Sequence, residues 1–211
     1  ILSAVDGSLK RLGTDYLDVL LLHRPDALME PEEVAEAFDE LEKSGKVRHF
    51  GVSNEDPYTM ELLQSTLHQP ICANQLQMSL TNATMIAQPM NTNICDGLNP
   101  GLDNGVLNYC RLHNITIQTW SPFQYGFFEG VFIGSEKYPK LNAKLDELAE
   151  KYNVTNIAIA LAWILRHPAK MQAVTGTINP KRLRDCAAAL DITLAREDWY
   201  ALYLAAGYRL P

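Results

Sequence analysis

The sequence predicts an α/β fold in which parallel strands alternate with helices. The main observation is that apolar residues switch repeatedly between two spacings. Continuous apolar runs such as Leu17–Leu22 are typical of buried strands, whereas Leu2, Val5, Leu9 and Leu12 lie on one face of a helix. A strand followed by a helix occurs five times in the pattern, and such units favour a parallel sheet with right-handed crossovers.

Start and stop signals bound the predicted helices. Gly13 ends the first helix, Glu30-Pro31 and Asp56-Pro57 begin the second and third, and Asn179-Pro180 begins the helix that runs towards Leu190. The predicted strands are residues 16–23, 47–52, 71–78, 115–120 and 173–176, and the predicted helices are residues 2–12, 31–43, 57–63, 106–112, 141–152, 157–165, 180–190 and 198–206.

Two α/β architectures fit this alternation. A doubly wound sheet that binds a dinucleotide normally carries a G-x-G-x-x-G turn after its first strand, and the sequence has none. A (β/α)8 barrel instead places its chemistry just beyond the carboxyl ends of several strands. Polar or aromatic residues occupy those positions here, which favours the barrel: His23, Ser53, Asn54, Gln75, Trp120, Ser121 and Thr177.

Composition excludes several classes of protein. The 211 residues carry 18 Lys and Arg against 25 Asp and Glu, a net charge of −7, so we expect no nucleic-acid partner. No apolar run is long enough to span a membrane. The four cysteines form no C-x-x-C pair, so we expect no metal site and a reducing, cytoplasmic location. The length fits a single domain, residues 1–211.

Several strings at the strand ends resemble the aldo-keto reductase family. The most specific is G-K-V-R-H-F-G-V-S-N at residues 45–54. It is accompanied by L-D-V-L-L-L-H at 17–23, A-N-Q at 73–75, Q-T-W-S-P at 118–122, and Gly176-Thr177 with Arg182. The resemblance runs from about Leu2 to the end of the sequence and is nearest to bacterial members with L-L-x-H-R-P-D.

The resemblance implies a (β/α)8 barrel that uses NADPH to reduce aldehydes or ketones, with a small-molecule carbonyl compound as substrate. The five predicted strands would be strands four to eight, so three strand-helix units of roughly 30 residues each would be missing and the chain would be truncated. The family's catalytic set is an Asp, a Tyr, a Lys and a His. His23 matches the His, and the other three have no counterpart in this sequence.

The resemblance also implies a place for each part of the cofactor. Ser53, Asn54 and Gln75 match the positions that hold the nicotinamide carboxamide, and their hydroxyl and amide groups suit that task. Trp120 matches the aromatic position on which the nicotinamide ring stacks. Ser121, Pro122 and Phe123 begin the segment that covers the pyrophosphate.

At the phosphate end, the matching residues are Gly176, Thr177 and Arg182. The start of the helix at Asn179-Pro180 should offer free backbone N–H groups to an anion, and Arg182 adds a fork for two phosphate oxygens. The sequence also departs from the family here. Gly176 stands where many members have a lysine, Cys186 stands where an asparagine reads the adenine, and Asp185 would repel a nearby phosphate.

Some questions stay open at this point. The phenylalanines of the segment from residue 121 to 134 could narrow the substrate pocket, cover the cofactor or contact another subunit: Phe123, Phe127, Phe128 and Phe132. The alternative function is a nucleotide-binding regulatory or inactive protein on the same fold. The oligomeric state is left open.

Overall fold

A computed structural model describes residues 1–92, 94 and 104–211 of the chain; Cys95 lies outside these residues. The strands are β1 (Leu17–Leu22), β2 (Val47–Ser53), β3 (Ile71–Gln77), β4 (Thr116–Trp120), β5 (Gln124–Tyr125), β6 (Gly130–Val131) and β7 (Gln172–Ala173). Five of them form one sheet in the order β1-β2-β3-β4-β7. The pairs β1–β2, β2–β3 and β4–β7 are parallel, whereas β5 and β6 form a separate antiparallel hairpin.

The helices follow the predicted alternation. They are α1 (Leu2–Leu12), α2 (Pro31–Lys43), α3 (Pro57–Gln64), α4 (Thr84–Met90), α5 (Val106–Leu112), α6 (Pro139–Tyr152), α7 (Asn156–Leu165), α8 (Pro180–Ala187) and α9 (Arg196–Ala205), with a short 3-10 helix at Ala188–Asp191. Within the described part of the chain, no helix is long and apolar enough to cross a membrane.

The predicted helix boundaries are confirmed where a specific capping residue defines them. Gly13 adopts φ +67°, in the left-handed region that glycine tolerates, and its N–H donates to the Leu9 carbonyl. The Asp56 side chain accepts a hydrogen bond from the Tyr58 N–H at the start of α3. Asn179 caps α8 in the same way.

The described residues fall into two compact units, which we describe in turn. The first comprises residues 1–75 and 108–116. Its core includes Phe38 of α2 stacked on Phe50 of β2, with ring centroids 4.0 Å apart. The register pairs Ser53 with Gln75, and it shifts between Phe50 and Val52. This irregularity lies just before the carboxyl end of β2, where the predicted site residues begin.

The second unit comprises residues 76–107 and 117–211. Helix α7 is buried along most of its length, as its almost purely apolar sequence predicts. Trp163 of α7 and Trp199 of α9 stack with centroids 4.9 Å apart, and each indole N–H donates to the other's backbone carbonyl. Both buried indole groups are therefore satisfied within one packed pair.

Three features differ from the prediction. Helix α4 is absent from the predicted helices, because it is short and contains Pro89. The β5–β6 hairpin was missed because its strands have only two residues each, too few for a period to be recognised. The last strand of the sheet is Gln172–Ala173 rather than 173–176, and Gly176 is exposed beyond it. The single-domain interpretation stays a prediction.

Candidate cofactor site

In the first unit, three of the predicted cofactor residues form one hydrogen-bonded cluster at the ends of β2 and β3. The buried Ser53 hydroxyl donates to the Gln75 carbonyl at 2.9 Å. The Asn54 N–H donates to the same carbonyl at 3.1 Å, and the Asn54 side-chain Nδ2 donates to Ser53 Oγ at 2.9 Å. The cluster therefore holds hydroxyl and amide groups in fixed positions at the carboxyl ends of parallel strands.

The backbone explains why this motif contains glycine and asparagine. Asn54 has φ +59°, in the left-handed region, which asparagine tolerates better than most residues. At Gly51, an added Cβ would lie 2.6 Å from both the Ala73 carbonyl oxygen and Leu21 Cδ2. Only glycine fits between the neighbouring strands at this point.

His23 directly follows β1 and is exposed. Across the part of the chain that the structure describes, its imidazole makes no hydrogen bond or ion pair. It is therefore not a core histidine bonded to a neighbouring carbonyl, which is the ordinary structural role for a histidine after an apolar strand. An imidazole in this state can donate or accept a hydrogen bond with a bound ligand.

Two buried polar residues beside this cluster were missed by the sequence analysis. Glu55 follows Asn54 and is only 3% exposed, and Asn74 Nδ2 donates to the Glu55 backbone carbonyl at 2.8 Å. Burial, with a contribution from the Asp56 carboxylate, raises the pKa of Glu55 from 4.5 to about 7. The only sign of Glu55 in the sequence was the presence of an acidic residue directly after Ser53-Asn54.

In the second unit, predicted cofactor residues line one cavity of about 410 Å³. Phe123, Gly176, Thr177 and Arg182 all contribute to its wall, as does Cys186. The other lining residues were not singled out from the sequence: Val131, Ile133, Ile157 and Thr175. The cavity therefore combines apolar walls with a single arginine, a composition that is typical of a pocket for a flat organic group carrying an anion.

The start of α8 corrects one expectation. We predicted free backbone N–H groups at Asn179-Pro180, but the Asn179 side chain accepts from the N–H groups of both Lys181 and Arg182. Pro180 has no N–H, and the Leu183 N–H donates to the Asn179 carbonyl. An asparagine cap and a bound anion compete for the same donors, and here the cap has them.

The Arg182 side chain is consequently the cationic group among the residues that line this cavity. Arg182 is exposed, and within the described ranges its guanidinium makes no hydrogen bond or ion pair. Asp185, which was expected to repel a phosphate, lines a different cavity of about 490 Å³ together with Glu150. Burial and the Asp185 carboxylate raise the pKa of the Cys186 thiol, so that cysteine is neutral at pH 7.

The segment after β4 is tightly held. Ser121 has φ +53° and its hydroxyl bonds to the Gln124 side-chain oxygen at 3.0 Å, whereas Pro122 is buried. The Trp120 carbonyl accepts from the Met78 N–H at 3.2 Å. These contacts position the half-exposed indole of Trp120 at the end of its strand.

The four phenylalanines of this segment have three different environments. Phe132 is fully buried in the core. Phe123 lines the cavity. Phe127 and Phe128 are exposed and lie against the Trp120 ring. Treating the four as one group was therefore wrong.

Comparisons with known proteins agree with this geometry. The sequence profile described as the Aldo/keto reductase family matches residues 1–203. The chain belongs to the aldo/keto reductase family. This membership confirms the resemblance and the α/β fold class of that family.

Individual relatives show the same family. The chain is 37% identical over 204 residues to 6-dehydroglucose reductase of Agrobacterium fabrum, covering 96% of this chain and 61% of that protein. It is 34% identical to oxidoreductase YdhF of Escherichia coli, covering 100% of this chain and 65% of YdhF. The crystal structure of the thermostable aldo-keto reductase Tm1743 superposes with a TM-score of 0.76 at 28% identity, covering 97% and 65% of the two chains. The chain thus spans 61% to 65% of the length of these relatives, which are oxidoreductases.

Proposed function

We propose that the chain binds NADPH and belongs to an enzyme that reduces aldehydes or ketones to alcohols. The observation that carries the proposal is the cavity of the second unit, in which Phe123 meets the local group Gly176, Thr177 and Arg182 from a later part of the sequence. Its apolar walls suit an adenine, and the guanidinium suits the 2′-phosphate that distinguishes NADPH from NADH. A pocket unrelated to cofactor binding would not be expected to be lined by these four residues.

The family resemblance assigns Ser53, Asn54 and Gln75 to the carboxamide of the nicotinamide and Trp120 to its ring, and each assignment is argued from its own surroundings only. Ser53, Asn54 and Gln75 form a rigid hydroxyl and amide cluster that can bind a carboxamide and fix which ring face is presented. Trp120 offers a half-exposed ring for stacking. Ser121 and Pro122, which are held by the Ser121–Gln124 hydrogen bond and by burial, begin the segment that would cover the pyrophosphate.

When bound, the cofactor would supply a hydride to the carbonyl carbon of the substrate. A proton must also reach the carbonyl oxygen. In this chain His23 is the residue suited to hold that oxygen and to orient the substrate by hydrogen bonding. Ser53, Asn54 and Gln75 would hold the nicotinamide carboxamide in one orientation and so fix which face of the ring is presented to the substrate.

Calorimetric titration tests the proposal directly. We expect saturable 1:1 binding of NADP⁺ to the chain, and we expect Asn54→Ala to weaken it by about tenfold because one hydrogen bond to the carboxamide is lost. Adenosine 2′,5′-bisphosphate, which has no nicotinamide, should bind the variant as it binds the unchanged chain. Asn82→Ala, an asparagine outside the cluster, serves as the matched control. Absence of saturable NADP⁺ binding would refute the proposal, and binding to a full-length homologue without turnover would favour a regulatory role.

A further inference from the structure

The tip of the β5–β6 hairpin covers Trp120. Phe128 stacks on the Trp120 ring with centroids 5.7 Å apart and an interplanar angle of 23°, whereas Phe127 meets it edge-on at 6.4 Å and 86°. The two phenylalanines are 57% and 67% exposed, so neither is held by the core. What holds Phe128 in place is therefore mainly its contact with the indole and with Phe127, at 4.8 Å.

The base of this hairpin is firmly anchored. The Gln124 carbonyl accepts hydrogen bonds from the hydroxyls of Ser79 and Thr81, at 2.8 and 3.2 Å. The Gln77 side chain donates to the Gly126 carbonyl at 2.7 Å, and the Phe132 N–H donates to the Phe123 carbonyl at 3.0 Å. Any movement is consequently confined to the tip, the three residues 127–129 between the anchored Gly126 and the paired Gly130.

The backbone of the tip is strained at Phe128 and is flanked by glycines. Phe128 has φ +62°, a left-handed conformation that is unfavourable for a residue with a bulky side chain. Glycines with positive φ flank the three residues of the tip, Gly126 at +58° and Gly130 at +152°. The stacking on Trp120 offsets part of the strain of Phe128, so breaking the stack would cost less free energy than it would for an unstrained residue.

We propose that Phe128 is a displaceable cover of Trp120. It occupies the ring face on which the nicotinamide stacks, and it swings away when the cofactor binds. The inference rests on the proposed function, since it assumes that Trp120 carries the nicotinamide. Every NADPH that binds must then break the Phe128–Trp120 stack, and the strain released at Phe128 offsets part of that loss.

The consequence is an affinity that rises when the cover is removed. Aromatic stacking of this kind corresponds to about a two- to tenfold change in a dissociation constant. Phe128→Ala is therefore expected to bind NADP⁺ about two- to tenfold more tightly than the unchanged chain. Phe127→Ala is the comparison: it removes one of the two ring contacts of Phe128 but leaves the Phe128–Trp120 stack, so it should tighten NADP⁺ by a smaller factor than Phe128→Ala.

The test uses isothermal titration of the three proteins with NADP⁺ and with adenosine 2′,5′-bisphosphate. The second ligand does not reach Trp120, so its affinity should be the same for all three proteins. Unchanged or weakened NADP⁺ binding by Phe128→Ala would overturn the proposal, since Phe128 would then be neutral or would support the nicotinamide. If neither ligand binds the unchanged chain, the proposed function fails and this inference fails with it.

Tryptophan fluorescence gives a second measurement that does not depend on affinity. Trp163 is fully buried and Trp199 is 8% exposed, so acrylamide reports mainly on Trp120. Phe128→Ala should increase quenching in the free protein, and saturating NADP⁺ should reduce it in both proteins to the same level. Quenching that does not change with Phe128→Ala would show that Phe128 does not cover the indole.

Discussion

Replacing Arg182 with alanine tests the phosphate end of the proposed site most directly. The backbone donors at the start of α8 are already engaged, because the Asn179 side chain accepts from the N–H groups of Lys181 and Arg182. Gly176 contributes no charge to the cavity wall. The guanidinium is thus the main group left to bind the 2′-phosphate, and a hydrogen bond between charged groups contributes roughly 1.5 to 3 kcal/mol.

The expected result is a selective loss of affinity. Since 1.4 kcal/mol corresponds to a factor of ten, Arg182→Ala should weaken NADP⁺ by about 10- to 150-fold, and NAD⁺, which lacks the phosphate, by less than twofold. Calorimetric titration of both cofactors against both proteins gives four dissociation constants. Arg184→Ala is the control, because Arg184 lies on the same helix but does not line the cavity. Equal weakening of the two cofactors would refute the assignment.

Four further predictions concern other positions or the whole chain. Gly176→Lys is expected to bind NADP⁺ about two- to fivefold more tightly in calorimetry, because a Cβ there meets no heavy atom within 4 Å and the lysine ammonium adds a cation. An equal gain in affinity for NAD⁺ would contradict this. Gly51→Ala should lower the free energy of unfolding in urea by about 1 to 3 kcal/mol, because its Cβ would lie 2.6 Å from the Ala73 carbonyl oxygen; a neutral effect would show that the strands can separate. Stability in urea should fall as the pH rises from about 4.5 to about 7, because the pKa of Glu55 is raised to about 7 and the folded state binds more protons in that window. Glu55→Gln should remove most of this slope, and an unchanged slope would assign it to other groups. The 211-residue chain should reduce an aromatic aldehyde with NADPH at least about 100-fold more slowly than full-length YdhF. A positioned acid raises the rate by about 10²- to 10⁴-fold, and the family's tyrosine has no counterpart here. Comparable turnover would refute this.

Local signals explain why most of the fold could be predicted from the sequence. The glycine after α1 and the side-chain caps of α3 and α8 are read from a few neighbouring residues, and each has the expected hydrogen bond. Helix α4 and the β5–β6 hairpin could not be recognised in this way. The hairpin depends on contacts with Gln77, Ser79 and Thr81, about 45 residues earlier in the chain, which no local pattern contains.

For the same reason, the sequence predicted some residues of the candidate site and missed others. Ser53, Asn54 and Gln75 come together because parallel strands end at the same edge of the sheet, a rule that can be applied to the sequence alone. The apolar walls of the cavity in the second unit depend on tertiary packing and were missed. The error at α8 had another origin: Asn179 was recognised as a cap, yet the donors that a cap binds were still counted as free.

The residues proposed for the nicotinamide and for the phosphate differ in whether they also support the fold. At the nicotinamide end, Ser53 and Asn54 both bond to the Gln75 backbone carbonyl, so their positions follow from the strand register itself. A substitution there alters the end of the sheet together with the binding groups. At the phosphate end, Arg182 and Gly176 are exposed and neither supports the fold through a side-chain contact among the described residues. If the proposed function holds, we therefore expect substitutions at these two positions to change the preference between NADPH and NADH and to leave the Ser53–Asn54–Gln75 cluster unchanged.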